Sequence, residues 1–132
     1  MADKQVTIQE IRDWVRTFRQ ERGWGGGNEN AKNLAISLVL EAVELLEHYQ
    51  WMEGDEVEED KARKREAEFE LVDVLYWVVT LADTYKIDLS GTLKEKLMRN
   101  VERYPAEKFP VKLERGKMLR RYYKLKKGNH GH

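Results

Sequence analysis

Cysteine is absent from the 132 residues, and proline occurs only twice, at positions 105 and 110. Because no disulfide can form, the composition gives no indication of secretion. The chain also lacks an apolar run long enough to span a membrane, and its N-terminal residues show no signal-peptide pattern. These absences predict a cytoplasmic protein without a membrane partner.

Net charge is also missing, since 24 Lys and Arg residues balance 24 Asp and Glu residues. This balance argues against a protein built to bind a nucleic-acid polymer. It hides a local asymmetry, because residues 53–60 carry six acids and no base, whereas 111–127 carry eight Lys or Arg and one Glu. We expect residues 53–60 to form a solvated linker. The basic segment is expected to pack on the helices or on a partner subunit.

No stretch alternates apolar and polar residues between turn signals, so an all-α fold is predicted. Caps and helix breakers place four helices at about 7–22, 31–52, 61–82 and 88–104. The second has apolar residues on most of its faces, which marks it as central. The predicted architecture is a four-helix bundle-type catalytic domain over 1–105 and a basic C-terminal extension over 106–132. The last five residues are expected to be disordered.

Four acidic residues lie inside the two most apolar stretches of the chain. Glu41 and Glu44 belong to LAISLVLEAVELL, and Glu70 and Asp73 belong to FELVDVLYWVV. Each pair is spaced i, i+3, so both side chains project from one face of a helix. Two such helices side by side would direct four carboxylates at one point. Oxygen ligands of this kind suit a hard divalent cation, most plausibly Mg2+.

The alternative is that these acids form buried salt bridges with Lys or Arg from neighbouring helices. Neither acidic helix offers a base near them, because residues 34–50 and 67–84 contain no Lys or Arg. A metal ion is the simpler source of positive charge, and the sequence favours it.

Several other residues are candidates for contact with a ligand, each with a structural alternative. Trp24 is the one large aromatic in the glycine-rich loop 23–30, which could equally be a flexible connector. Trp51 and Trp77 fit either core packing or stacking on a flat base. On the fourth helix Lys96, Asn100 and Arg103 form a polar stripe, either a solvated face or a phosphate clamp.

At these residues the sequence resembles the MazG-like all-α nucleoside triphosphate pyrophosphohydrolases, and within them the dCTP pyrophosphatase branch. The family motif E-x-x-E, spacer, E-x-x-D stands here as Glu41-x-x-Glu44 and Glu70-x-x-Asp73, with 25 residues between. The matching blocks are ERGW, KNLAISLVLEAVELLEHYQW, ELVDVLYWVVTLAD and KLMRNVERYP. The resemblance covers about residues 8–105.

The resemblance implies roles for particular residues. The four acids would bind Mg2+, with Mn2+ as an alternative ion, and Glu41 or Glu44 would orient the attacking water. Trp24 and Trp51 would line the base pocket, while Trp77 stands where the dCTP-preferring branch has a tyrosine. Further substrate contacts are expected at Asn33, Lys96, Asn100 and Arg103, with Lys96 stabilising the leaving pyrophosphate. His48 stands at a position that is aliphatic in similar sequences, and its role is open.

The implied reaction is Mg2+-dependent hydrolysis of a nucleoside triphosphate to the monophosphate and pyrophosphate. The expected substrate is dCTP or a related or modified dNTP. The expected role is the removal of such nucleotides from the cellular nucleotide pool. The resemblance also implies a homo-oligomer, a dimer or tetramer, with sites completed across subunit boundaries. One alternative is a same-fold enzyme acting on dUTP or phosphoribosyl-ATP. Another is a catalytically silent helical oligomer that uses its basic tail to hold a partner, which deletion of residues 111–132 would reveal.

Overall fold

The computed structural model describes residues 1–25, 29–53, 56, 60–109 and 114–128. Within these ranges all regular structure is helical, and no strand occurs. In the described ranges the structure delimits five α-helices, α1 (Ile8–Gln20), α2 (Ala31–Glu47), α3 (Lys61–Thr84), α4 (Leu89–Arg103) and α5 (Arg115–Gly128), with short 3-10 turns at Ala2–Lys4 and Ala106–Lys108. The prediction of an all-α fold is confirmed.

The chain divides into two compact units, Met1–Ile87 and Asp88–His132. In the first unit α3 packs along α2 and also against α1, so α3 is its central element. The most deeply buried apolar side chains, each 2% exposed, belong to Leu34 of α2 and to Ala67, Val79 and Ala82 of α3. The core of this unit therefore follows the inner faces of α2 and α3.

Polar side chains begin the helices at the expected places. Thr7 and Glu10 form a capping box, in which the Glu10 carboxylate accepts from the Thr7 backbone N–H at 2.7 Å and the Thr7 hydroxyl accepts from the Glu10 N–H at 3.2 Å. At the starts of α2, α3 and α4, a side-chain oxygen of Asn30, Asp60 or Asp88 accepts from the backbone N–H three residues further on. Each cap satisfies a backbone N–H that the helix itself leaves unpaired, worth about 1 kcal/mol.

Two arginines attach α1 to the end of α3. The Arg12 guanidinium donates to the carbonyl oxygens of Ile87 and Ala82, at 2.9 and 3.1 Å. One turn later Arg16 donates to both carboxylate oxygens of Asp83, at 2.9 and 2.5 Å. These hydrogen bonds from Arg16 hold the pKa of Asp83 below its usual value. Cations here also complement the negative end of the α3 dipole.

A left-handed residue turns the chain back after α1. Gly23 has φ +64°, a conformation that favours glycine because it has no Cβ. The following backbone N–H, that of Trp24, donates to the carbonyl of Arg19 at 2.9 Å. This turn directs the Trp24 ring against Phe18 of α1, with ring centroids 5.8 Å apart.

Both long helices of the first unit keep a second apolar face exposed. On α2 these residues are Ile36, Val39, Leu40, Val43 and Leu46, and on α3 they include Phe69, Leu71, Val72 and Leu75. Their exposed fractions range from 41% to 57%. Contiguous exposed apolar surface of this kind is typical of a protein interface.

The second unit holds the basic segment. Tyr104, just after α4, stacks on Tyr122 of α5 with centroids 5.2 Å apart and an interplanar angle of 22°. Arg103 donates to the carbonyl of Lys126 at 2.8 Å, and Arg121 donates to the carbonyl of Lys108. Much of the basic segment is therefore a helix, α5, that packs on the end of α4.

The remaining expectations have different outcomes. Helix α2 ends at Glu47, about one turn before the predicted end. Most of the expected acidic linker, residues 54, 55 and 57–59, and the last four residues lie outside the described ranges. A four-helix bundle ending at residue 105, followed by a separate basic extension, stays a prediction. Among the described residues, no helix has the length and hydropathy needed to cross a membrane.

Candidate functional site

Three of the four acids that the sequence singles out meet between α2 and α3. Side-chain oxygens of Glu41, Glu44 and Glu70 lie within 4.8 Å of one another. Glu41 and Glu70 are half-buried, and Glu44 is exposed. We call these three residues the carboxylate group. The i, i+3 spacing on α2 and the packing of α3 along α2 produce it.

The donor set fits Mg2+ or Mn2+. Both ions prefer oxygen ligands, and Mg2+ binds few carboxylates because it keeps several of its waters. A half-buried group with one exposed member leaves room for those waters and for phosphate oxygens. Glu41, Glu44 and Glu70 would hold the ion.

The salt-bridge alternative finds no support in the described residues. No Lys or Arg among them forms a salt bridge with Glu41, Glu44 or Glu70. Of the basic and imidazole side chains in these ranges, only His48 lies within salt-bridge distance of the group, with its Nε2 3.8 Å from Glu70 Oε1. Three converging carboxylates without a basic partner repel one another, which a cation would relieve.

An aromatic pocket opens beside the carboxylate group. It has a volume of about 550 Å3 and is lined by Trp14, Val15, Phe18, Trp24, Glu41, Asp73, Tyr76 and Trp77. Glu41 therefore belongs to the carboxylate group and to the pocket wall at once. Asp73, the fourth predicted metal ligand, is exposed and lies in this wall rather than with the other three acids. Its role as a ligand stays a prediction.

The rings in the pocket meet edge to face. Tyr76 contacts Trp77 with centroids 5.1 Å apart, and Phe18 contacts Tyr76 at 6.4 Å. Such contacts fix ring orientation and leave ring faces available for stacking. A pocket of this size and lining suits a flat, partly polar group such as a nucleobase.

The Trp77 ring is joined directly to the carboxylate group. Its indole Nε1–H donates to Glu41 Oε1 at 3.2 Å. Outer hydrogen bonds of this kind orient metal-binding carboxylates. Trp77 thus contributes a ring to the pocket and a hydrogen bond to a candidate metal ligand.

On another side of the carboxylate group lies a polar cavity of about 570 Å3. It is lined by Glu44, Glu47, His48, Asp60, Ala62, Arg63, Glu66 and Glu70. Among the described lining residues, only Arg63 and His48 carry a basic or imidazole side chain. Because acids predominate, a polyphosphate entering here would need cations to screen it.

Other predicted site residues lie elsewhere. Trp51 is 87% exposed and does not line the aromatic pocket. Asn33 is exposed in the first turn of α2, where its backbone N–H donates to the Asn30 cap at 3.0 Å. Lys96, Asn100 and Arg103 belong to α4 in the second unit. The Arg103 guanidinium donates to the carbonyl of Lys126 and lies over the Tyr104 ring.

Three aromatic residues of the pocket wall are not among the candidates from the sequence. They are Trp14, Phe18 and Tyr76, and the spacing of the first two also fits an ordinary apolar stripe on α1. Trp14 and Phe18 are not core residues, since their side chains are 60% and 42% exposed. They lie on the helix that leads into the Trp24 turn. The sequence pattern that could have revealed this part of the pocket is the i, i+4 spacing of Trp14 and Phe18 with Trp24 shortly after them.

The fold and site define a helical protein with a candidate divalent-metal centre beside an aromatic pocket. The MazG-like family model matches residues 36–114, more than half of the chain. This chain therefore belongs to the MazG-like family.

Within the family the chain is similar to dCTP pyrophosphatases. It is 35% identical over 114 residues to dCTP pyrophosphatase 1 of Rattus norvegicus, covering 83% of this chain and 63% of the relative. It is 36% identical over 103 residues to dCTP pyrophosphatase 1 of Homo sapiens, covering 76% and 60%. The chain thus spans less than two thirds of the length of these curated relatives.

A solved structure gives independent support for the fold. A crystal structure described as a pyrophosphatase from Archaeoglobus fulgidus superimposes with a TM-score of 0.67 at 37% sequence identity. The match covers 74% of this chain and 92% of the archaeal chain.

Proposed function

We propose that this protein hydrolyses a nucleoside triphosphate to the monophosphate and pyrophosphate with Mg2+ or Mn2+. The preferred substrate in this proposal is dCTP or a related or modified dNTP. The observation that carries it is the shared position of Glu41, which belongs both to the carboxylate group and to the wall of the aromatic pocket. A base in the pocket would bring its own phosphates to the carboxylates.

The chain's own residues would divide the work as follows. Glu41, Glu44 and Glu70 would hold the cation, with Asp73 as the proposed fourth acid. Mg2+, when bound, neutralises negative charge that develops on phosphate oxygens during displacement. A carboxylate oxygen of Glu41 or Glu44 would accept a hydrogen bond from a water and aim it at the α-phosphorus. Pyrophosphate would then leave.

Base selection would depend on the aromatic pocket. Trp24 and Trp77 line it, together with Trp14 and Phe18. Aromatic faces stack on any base, so discrimination must come from polar contacts at the base edge. Trp77 stands where the dCTP-preferring branch has a tyrosine, so the base preference of this chain is tested separately from its reaction. The alternative substrates dUTP and phosphoribosyl-ATP are therefore compared with dCTP.

Assembly into a homo-oligomer is part of this proposal. The exposed apolar faces of α2 and α3 support it, because they would be buried against another copy. Trp51, 87% exposed, would then contribute to the base pocket of a neighbouring copy. Lys96, Asn100 and Arg103 are the proposed phosphate and nucleotide contacts from α4.

The test measures pyrophosphate release from a panel of triphosphates with Mg2+, with Mn2+ and with a chelator. Glu70→Gln removes one charge from the carboxylate group and should lower kcat/KM by at least 100-fold. The matched control is Glu68→Gln on the same helix, because Glu68 is exposed and pairs with Arg65 at 2.7 Å. That control should keep the activity.

Three results would contradict the proposal. One is release that is insensitive to the chelator. Another is undiminished release in Glu44→Gln or Asp73→Asn. The third is the absence of hydrolysis with every triphosphate in the folded protein, which would favour a binding module instead.

A further inference from the structure

We infer that Arg19 is a positioning residue that links the aromatic pocket to the carboxylate group through Trp77. This inference rests on the proposed function for its kinetic consequence, but its geometry belongs to the free protein. Four contacts of Arg19 and one hydrogen bond of Trp77 carry it.

Arg19 is a charged residue buried in a unit that buries very few side chains. Its side chain is only 8% exposed. Its guanidinium forms an ion pair with Glu29 and donates to the Tyr76 hydroxyl at 3.0 Å. The same group lies against the rings of Tyr76 and Trp77, with its Cζ 5.8 and 5.6 Å from their centroids.

A guanidinium is costly to bury and is retained where its charge is paired. Here the partners come from two directions. Glu29 lies immediately before α2, whereas Tyr76 and Trp77 lie on α3. Arg19 on α1 therefore connects all three helical segments that surround the aromatic pocket.

The Trp24 turn is tied to the same residue. The Trp24 backbone N–H donates to the Arg19 backbone carbonyl at 2.9 Å, and the Arg19 guanidinium lies against the Trp77 ring, so residue 19 contacts both walls of the pocket. A guanidinium over an aromatic face is attracted to it, and the attraction depends on ring orientation. Arg19 thus favours one orientation of the Trp77 ring.

That orientation matters because of what Trp77 does on its other side. The indole Nε1–H reaches Glu41 Oε1 at 3.2 Å, and Glu41 belongs to the carboxylate group. A tilted Trp77 ring would withdraw this hydrogen bond and leave Glu41 free to rotate. Loss of Arg19 should therefore weaken cation binding without removing any cation ligand.

The first test uses the full chain and Mn2+ alone, with binding measured by the electron paramagnetic resonance of free Mn2+. Trp77→Phe removes the donor to Glu41 and should weaken Mn2+ binding about tenfold. Arg19→Gln should weaken it in the same direction. The double variant should be less affected than the two effects combined, since both act through Glu41.

The second test observes Trp77 directly. The chain has four tryptophans, so a ¹H–¹⁵N spectrum contains four indole signals, and the Trp77 signal is identified by its loss in Trp77→Phe. It should shift in Arg19→Gln and in Glu41→Gln. Unchanged Mn2+ affinity together with an unshifted Trp77 signal in folded Arg19→Gln would overturn the inference.

The control is Arg16→Gln, which breaks another arginine–carboxylate pair between α1 and α3. Arg16 binds Asp83 and does not line the aromatic pocket. This variant should lose stability but keep Mn2+ affinity and the Trp77 signal. If Arg19→Gln does not fold, Arg19→Lys keeps the charge and loses the planar fork, and the Trp77 signal should still shift. An unshifted signal in Arg19→Lys would then overturn the inference.

In kinetics with dCTP, Arg19→Gln should raise KM more than it lowers kcat, because the pocket and the cation site are loosened while the reacting groups remain. If the wild-type protein hydrolyses no triphosphate, the proposed function fails. The Mn2+ and indole measurements would still decide the role of Arg19, so the two failures are distinguishable.

Discussion

Replacing Glu70 by glutamine tests the carboxylate group through stability as well as activity. Oxygens of the three acids lie within 4.8 Å of one another. At that separation two unit charges repel by ~0.9 kcal/mol in water and by ~3.5 kcal/mol at an effective dielectric constant of 20. Because one of the three acids is exposed and two are half-buried, the aqueous figure is the closer guide.

Removing one charge ends two of the three pairwise repulsions. Glu70→Gln should therefore stabilise the metal-free protein by about 2 kcal/mol, taking the aqueous figure for each pair. The measurement is urea unfolding with a chelator at pH 8. Stabilisation on losing a native side chain is unusual, since most substitutions destabilise.

Added Mg2+ should make the wild-type protein more stable than Glu70→Gln, the reverse of the metal-free case. An ion that binds the folded state at 100 times its Kd stabilises it by about 2.7 kcal/mol, and the variant should lose most of this gain. The control Glu68→Gln loses only a surface ion pair, worth about 0–1 kcal/mol, and should keep the full Mg2+ effect. Equal loss of metal-free stability in both variants, with the Mg2+ effect retained in Glu70→Gln, would refute the reasoning.

Three further predictions concern the fold and the tail. Leu34→Ala should lower the free energy of unfolding by about 2–5 kcal/mol, because Leu34 is 2% exposed and its removal leaves a cavity; a loss under 1 kcal/mol in urea unfolding would place the core elsewhere. The pKa of Asp83 is lowered chiefly by its hydrogen bonds from Arg16, so its contribution is complete above the unfolded-state pKa of about 3.9 and is lost as pH falls through the lower folded value. The stability difference between wild type and Asp83→Asn should therefore be constant above about pH 5 and shrink below about pH 4, and a pH-independent difference would contradict this. Truncation after Glu114 keeps all residues matched to the family and should retain pyrophosphate release; complete loss in a folded truncated protein would assign α5 to the site.

Local signals predicted the helix starts well. Thr7 with Glu10, and Asp88, are short-range caps whose hydrogen bonds lie within three residues, so sequence spacing is enough to find them. The end of α2 was predicted about one turn too late. Residues after Glu47 are compatible with a helix, but the chain there makes turn hydrogen bonds, such as that from the Tyr49 N–H to Leu46 O at 2.9 Å.

The central element was misjudged for a physical reason. The second predicted helix has apolar residues on most faces, which normally marks burial on all sides. In the first unit α3 is the helix that packs on both α1 and α2, while the outward apolar face of α2 stays exposed. An apolar face that stays exposed and one that packs in the core have the same composition, so periodicity cannot separate them.

The sequence by itself determined the all-α fold, the caps and the shared helix face of Glu41 and Glu44, because these follow from periodicities of a few residues. Only the tertiary structure brought Arg19 to Trp77 and Trp77 to Glu41, and left Asp73 in the pocket wall. Those contacts join residues 36 to 58 positions apart, and they depend on how three helices rotate about their axes when they pack. Local pattern does not encode that rotation.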